Sequence, residues 1–258
     1  MGGANAMNVH FLGAGFAPFT DWPIWRFLLE GLWLSVRIAL YAIVLAIIIG
    51  MVMAVGRLAP SRPLRWLAGA YVEVFRATPL LLLLFFIFFG AGRLDLSFML
   101  GKPLLSGIVD DRGHLDRIPA AVGALTLYNS AVVAEIIRAG ILSISKGIIE
   151  ASRALGMTYL QSMRHVALPM ALRRMAPGLV SQLITLFKDT SLASILSIFE
   201  LLRSARQIYD SPQYNNTIEV LLVVSMMYFI PCYALSLLAQ RLEQGPEIRG
   251  DGVALIKA

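Results

Sequence analysis

The chain reads as an all-α membrane protein with about five transmembrane helices, and three observations predict this. Apolar residues make up 58% of its 258 residues and the mean hydropathy is +0.73, above the roughly 45–50% apolar content of soluble domains. Uncharged runs approach the length of about 20 residues that a helix needs to cross the hydrocarbon core, and polar stretches separate them. The basic residues gather in alternate connections, thirteen on one side against eight on the other, with Lys188 left inside a span. Membrane proteins show that bias toward their cytoplasmic face.

Composition also excludes several classes. The net charge of +6 sits between apolar runs, so it reports membrane topology rather than a nucleic-acid surface. One cysteine, Cys232, gives no disulfide framework, and His10, His114 and His165 are scattered without metal-ligand spacing. No nucleophile–base set stands out, so no catalytic residue is assigned. No G-x-x-x-x-G-K-[ST] occurs, so the chain holds no ATP of its own in the P-loop manner.

Taken in order, residues 1–20 are expected to be loosely ordered. Met1 to Trp25 has no basic residue and no cleavage pattern of a signal peptide, so the first span is expected to remain. Trp22, Trp25 and Trp33, with Arg26 and Glu30, predict an interfacial helix ending near residue 33, or else the outer end of a long span. The membrane domain then covers residues 34–240. Its first span holds the uncharged run Ile38–Val55, and its second covers about Trp66–Gly92 with a kink at Pro79. Glu73 and Arg76, three apart, are expected to pair on one helix face. Residues 93–117 form a polar insertion, and the third span runs over about Ile118–Leu142. Glu135 and Arg138, near its cytoplasmic end, are read as a second structural pair. The fourth span covers about Met175–Leu202 and the fifth about Glu219–Gln240, before a polar tail over 241–258.

Between the third and fourth spans lies the least membrane-like part of the chain, 143–174. Ile148, Ala151 and Leu155 share one helical face. Glu150 is expected in the first turn, favouring the helix dipole. Gly156 is suited to end that helix with a positive φ, and Thr158 with Gln161 has capping-box spacing for the next one. Pro169, followed by Arg173 and Arg174, marks the return to the membrane. Such a helix–Gly–helix suits a groove on a partner; by residue physics alone it also suits a solvated loop or an amphipathic helix lying on lipid.

Glu150-Ala151-Ser152, Gly156 and then Val166-Ala167-Leu168-Pro169 resemble, without a gap, the EAA loop of ABC-importer permeases of the type I kind. Ser152 stands for the second Ala and Val166 for the Ile. Four further segments resemble the polar-amino-acid branch of that family: Phe75-Arg76-Ala77-Thr78-Pro79-Leu80, Ala134 to Gly140, Ser145-Lys146-Gly147, and Lys188-Asp189-Thr190-Ser191-Leu192. The resemblance implies that 143–174 carries a cytoplasmic coupling helix, with Glu150, Ala151, Ser152, Leu155, Gly156, Leu168 and Pro169 meeting an ATP-binding subunit. It also implies two permease subunits, identical or related, two ATP-binding subunits that hold ATP and Mg, and an extracytoplasmic solute-binding protein. No cofactor belongs to this chain.

Lys188, Asp189, Thr190 and Ser191 are the sharpest intramembrane polar group, and such groups mark a pathway or a buried pair. Asp189, Thr190 and Ser191 are good N-cap types, so the fourth span is expected to break and restart there. The restarted helix would offer N–H groups to an amino-acid carboxylate, with Lys188 beside them; a structural salt bridge is the other reading.

The sequence thus predicts the membrane-spanning permease of an ATP-driven polar-amino-acid importer, for glutamate, aspartate, glutamine or basic amino acids. It is placed in the bacterial inner membrane, N-terminus outside and C-terminus inside. The alternative is an ion-gradient-driven secondary amino-acid transporter, for which no internal inverted repeat is found.

Overall fold

A computed structural model of the chain describes residues 16–94, 117–211 and 217–243. The expected loose tail up to residue 15, nearly all of the 93–117 insertion and the tail beyond Glu243 lie outside them. The elements are α1 (Trp22–Leu58), α2 (Arg62–Ala77), α3 (Leu80–Leu94), α4 (Arg117–Leu142), α5 (Lys146–Ala154), α6 (Tyr159–Ser162), α7 (Leu168–Asp189), α8 (Leu201–Tyr209) and α9 (Thr217–Glu243). Among the described residues, four helical stretches are long and apolar enough to cross a membrane, or five if α2 and α3 form one bent crossing.

No break separates an interfacial helix from the first span. Residues 22–58 form one helix of 37 residues, about 55 Å at 1.5 Å per residue, so the tryptophans mark its outer end. Pro23 falls in the first turn, where its missing N–H costs nothing.

The second span shows the largest departure from expectation. The kink at Pro79 is a 105° break between α2 and α3. A residue before proline is pushed out of the helical region, and Thr78 accordingly takes φ −82° and ψ 126°. Its N–H and its hydroxyl both donate to the Val74 carbonyl, at 3.1 and 2.8 Å, which closes the end of α2. Ala68 and Val72 of α2 are buried while Arg62, Arg65, Glu73 and Arg76 are exposed, so this arm is amphipathic.

The fourth crossing also departs. No restart occurs at Asp189–Ser191. Asp189 keeps an αR backbone and makes no side-chain cap, and Thr190 donates back to the Phe187 carbonyl at 2.7 Å. The helix narrows to a 3-10 turn over Thr190–Leu196 and stops at Ser197, whose φ is +58°. The chain restarts at Leu201, capped by Glu200.

The chain divides into two compact units. The first contains residues 1–41, 84–123 and 187–232, and its core gathers Leu28, Leu201, Ala205, Ile208, Val220 and Val224. Here α1 approaches the start of α8 closely at Gly31, where a Cβ would lie 2.7 Å from Ser204 Oγ and 3.1 Å from the Leu201 Cα. The second unit contains residues 42–83, 124–186 and 233–258. Its helices are joined by polar contacts as well as apolar ones. Gln182 donates to the buried Asn129, and the Tyr71 and Ser130 hydroxyls lie 2.7 Å apart. In a span such groups must find internal partners, because lipid offers none.

Candidate functional site

The segment after the third crossing folds as a rigid helix pair. Ser145 is extended ahead of α5, which begins at Lys146, so Glu150 lies in the second turn rather than the first. The end of α5 is a Schellman turn. Gly156 takes φ +90°, its N–H donates to the Arg153 carbonyl at 3.0 Å, and the Met157 N–H reaches the Ser152 carbonyl at 3.3 Å. The capping box follows as the spacing predicts. The Thr158 N–H donates to Gln161 Oε1 at 2.9 Å, and the Gln161 N–H returns to Thr158 Oγ1 at 3.3 Å.

Ser152 turns inward from this surface. It is buried, donates to the Ile149 carbonyl at 2.8 Å and hydrogen-bonds the Ser162 hydroxyl, so it ties α5 to α6 from behind. Glu150, Ala151, Leu155 and Pro169 are exposed. Leu155, at 84% exposure, and Leu168, at 48%, present apolar surface. From α6 a π turn over Met163–Ala167 leads into α7, with the Leu168 N–H bonded to the Met163 carbonyl. Pro169 has no N–H and crowds the carbonyl four residues back, and a π turn is one way to absorb that. Arg174 donates to the carbonyl and hydroxyl of Ser143, clamping the two feet of the segment across 31 positions of sequence.

Gly156→Ala tests the turn. Nothing lies within 4 Å of an added Cβ, so only backbone strain resists it, at roughly 1 kcal/mol or a little more. The thermal midpoint should fall for Ala and less for Asn, which tolerates positive φ.

The structural pairs form one network rather than two. Glu135 pairs with Arg138 at 2.9 Å as expected, and also with Arg57 at the end of α1. Glu73 faces Arg57 at 3.8 Å; its expected partner Arg76 is exposed instead. Arg57 and Glu135 are about one-fifth exposed, whereas the Glu73 side chain is 68% exposed. Glu135→Gln should therefore cost about 2–4 kcal/mol, by stranding two arginines, and Glu73→Gln less than about 1 kcal/mol. Thermal denaturation of the two variants checks the ratio.

Of the predicted path residues, Lys188 is exposed, Asp189 and Ser191 are half-buried and Thr190 is buried. Thr190 also faces the Tyr228 phenol, whose ring packs 5.4 Å from Phe187. That phenol leads to a group the sequence reading passed over. Glu200, beyond the end of the fourth crossing, is fully buried. Its Oε1 accepts the Arg203 N–H at 2.7 Å, and its Oε2 accepts the Leu202 N–H at 2.9 Å and the Tyr228 hydroxyl at 2.8 Å. Ser35 of α1 lies 3.4 Å from Oε2 and accepts the Leu201 N–H at 3.2 Å. The free N–H groups at this helix start thus meet a carboxyl group supplied by the chain itself. A lone carboxylate inside the run from Leu192 to Leu202 was the available signal.

Residues 46–247 match the family described as binding-protein-dependent transport system inner membrane component. The chain is 37% identical over 218 residues to the probable glutamine ABC transporter permease protein GlnP of Bacillus subtilis (strain 168), covering 84% of this chain and 92% of that one. It is 37% identical over 229 residues to the glutamate/aspartate import permease protein GltK of Escherichia coli O6:H1, covering 87% and 97%. Among solved structures, a crystal structure of an amino acid ABC transporter with histidines matches with a TM-score of 0.70 and 28% identity, over 85% of this chain and 94% of that one.

Proposed function

We propose, from the fact that this chain belongs to the family of binding-protein-dependent transport system inner membrane components, that it is the membrane-spanning permease of an ATP-driven importer of polar amino acids. The observation that carries the coupling role is the capped, clamped helix pair with Leu155 standing 84% exposed on it. A large apolar side chain held out on a stiff support is suited to a groove on another protein. Glu150, Ala151, Leu155, Leu168 and Pro169 meet the ATP-binding subunit, while Ser152 and Gly156 keep the pair in shape. ATP and Mg are held by that partner, and transport follows because the docked subunit favours one state of the permease over the other.

Lys188 supports a path through the α7 end. A lysine exposed in a span is costly against lipid, so it faces water or a second permease subunit. Reconstitution with the ATP-binding subunits and the solute-binding protein, scored for ATP-dependent uptake across the amino acids, tests the function. Uptake that follows an ion gradient without ATP would overturn it. Glutamine, glutamate and aspartate, which the relatives' names carry, are the first substrates to try. Lys188→Met should cut uptake at least about tenfold in a complex that still assembles, a loss of about 1.4 kcal/mol or more; lost assembly instead would make it a structural bridge. The positive-inside count supports a cytoplasmic coupling segment and C-terminus with an external N-terminus, and labelling of Glu150→Cys from inside only is the expected result.

A further inference from the structure

Within the second unit an apolar cavity of about 780 Å³ lies where the crossings end. Val55 and Leu58 of α1, Ile141 and Ile144 around the end of α4 and Ile149 of α5 line it, and Arg164 is the charged group in its wall. We propose that this cavity holds an acyl chain of an anionic phospholipid from the adjoining leaflet, with Arg164 binding its phosphate.

The chemistry of the wall points to an amphiphile. One cation is set in a lining that is otherwise hydrocarbon, so water filling the space would find almost no hydrogen-bond partner. The volume lies within the roughly 300–1,000 Å³ of ligand-sized pockets. A docking protein segment would bring backbone amides and polar side chains, and this wall offers them little to bond.

Position agrees with chemistry. Val55 and Leu58 belong to the last turns of a membrane-crossing helix. Leu142 and Leu172, each about half exposed, follow the wall residues Ile141 and Ala171 in sequence and add exposed apolar surface at the ends of their helices. Charge agrees as well. Arg164 is exposed, and none of the ion pairs among the described residues occupies it. The span 138–174 carries six basic residues and one acidic residue, Glu150. A basic cluster at a membrane edge attracts anionic headgroups over neutral ones.

The inference goes beyond the transport reading, and its test needs neither ATP nor substrate. The assembled complex is incorporated into nanodiscs containing phosphatidylcholine and phosphatidylglycerol, extracted into detergent, and its retained lipid counted by native mass spectrometry. The wild type should keep phosphatidylglycerol over phosphatidylcholine by roughly fivefold, the preference one cation gives near a membrane surface. Ile144→Trp, which fills the cavity, should lose both lipids. Arg164→Gln should keep lipid without the preference, and because Arg164 is exposed this variant carries the test even if Ile144→Trp does not assemble. Retained lipid in the proportions of the nanodisc, or an unchanged preference in Arg164→Gln, would overturn the proposal. So would Ile144→Trp releasing the ATP-binding subunit with its phosphatidylglycerol intact, because the cavity would then belong to that protein.

Discussion

Leu155→Asp is expected to reduce ATP-driven uptake to background while leaving the chain folded. Leu155 is 84% exposed, so in the isolated subunit the substitution removes almost no packing. In the assembled importer the same side chain is proposed to be buried against the ATP-binding subunit. Burying a leucine contributes about 1.5–3 kcal/mol, and an unpaired carboxylate in its place adds a desolvation cost. Together these should weaken docking by about 100-fold or more. Leu155→Ala, which loses the apolar surface alone, should give an intermediate loss of about tenfold. Co-purification of the ATP-binding subunit and ATP-dependent uptake are the measurements, with the thermal midpoint of the permease as control. Normal co-purification of Leu155→Asp would remove this residue from the docking surface.

Glu200→Ala should lower stability more than Glu135→Gln, Glu73→Gln or Gly156→Ala. The substitution strands the Leu202 and Arg203 N–H groups and takes one acceptor from the Tyr228 hydroxyl, and it leaves a void in a site with no exposure. Each orphaned buried group costs about 1–3 kcal/mol, and losing a buried carboxylate's whole set of partners should cost about 3–5 kcal/mol. Glu200→Gln keeps an acceptor and should cost less. Thermal denaturation of the two variants checks the order, and a midpoint for Glu200→Ala no lower than that of Glu200→Gln would remove the carboxyl from this supporting role.

Features encoded within one or two helical turns are legible in the sequence. The positive φ of Gly156, the reciprocal Thr158–Gln161 cap and the Glu135–Arg138 pair each depend on residues three or four positions apart. The proline break was legible in place but not in size. A pre-proline residue excludes helix, yet the 105° turn also depends on what the two arms pack against. At Lys188–Ser191 local reasoning failed. Asp, Thr and Ser favour N-caps, but Thr190 is buried and its hydroxyl bonds the preceding turn, so the helix runs on until Ser197.

By itself the sequence determined that this chain crosses a membrane several times, that it belongs with the permeases, and that a capped helix pair projects between the third and fourth crossings. Hydropathy and short-range backbone chemistry are written residue by residue, and they survive without knowledge of neighbours. Only the tertiary structure decided that Arg57 takes Glu135 from 78 positions away, and that Glu200 is enclosed by Ser35 and Tyr228. A charge in a low-dielectric interior takes whichever partner the packed helices of its own unit bring within reach, and no local stretch of sequence carries that distance.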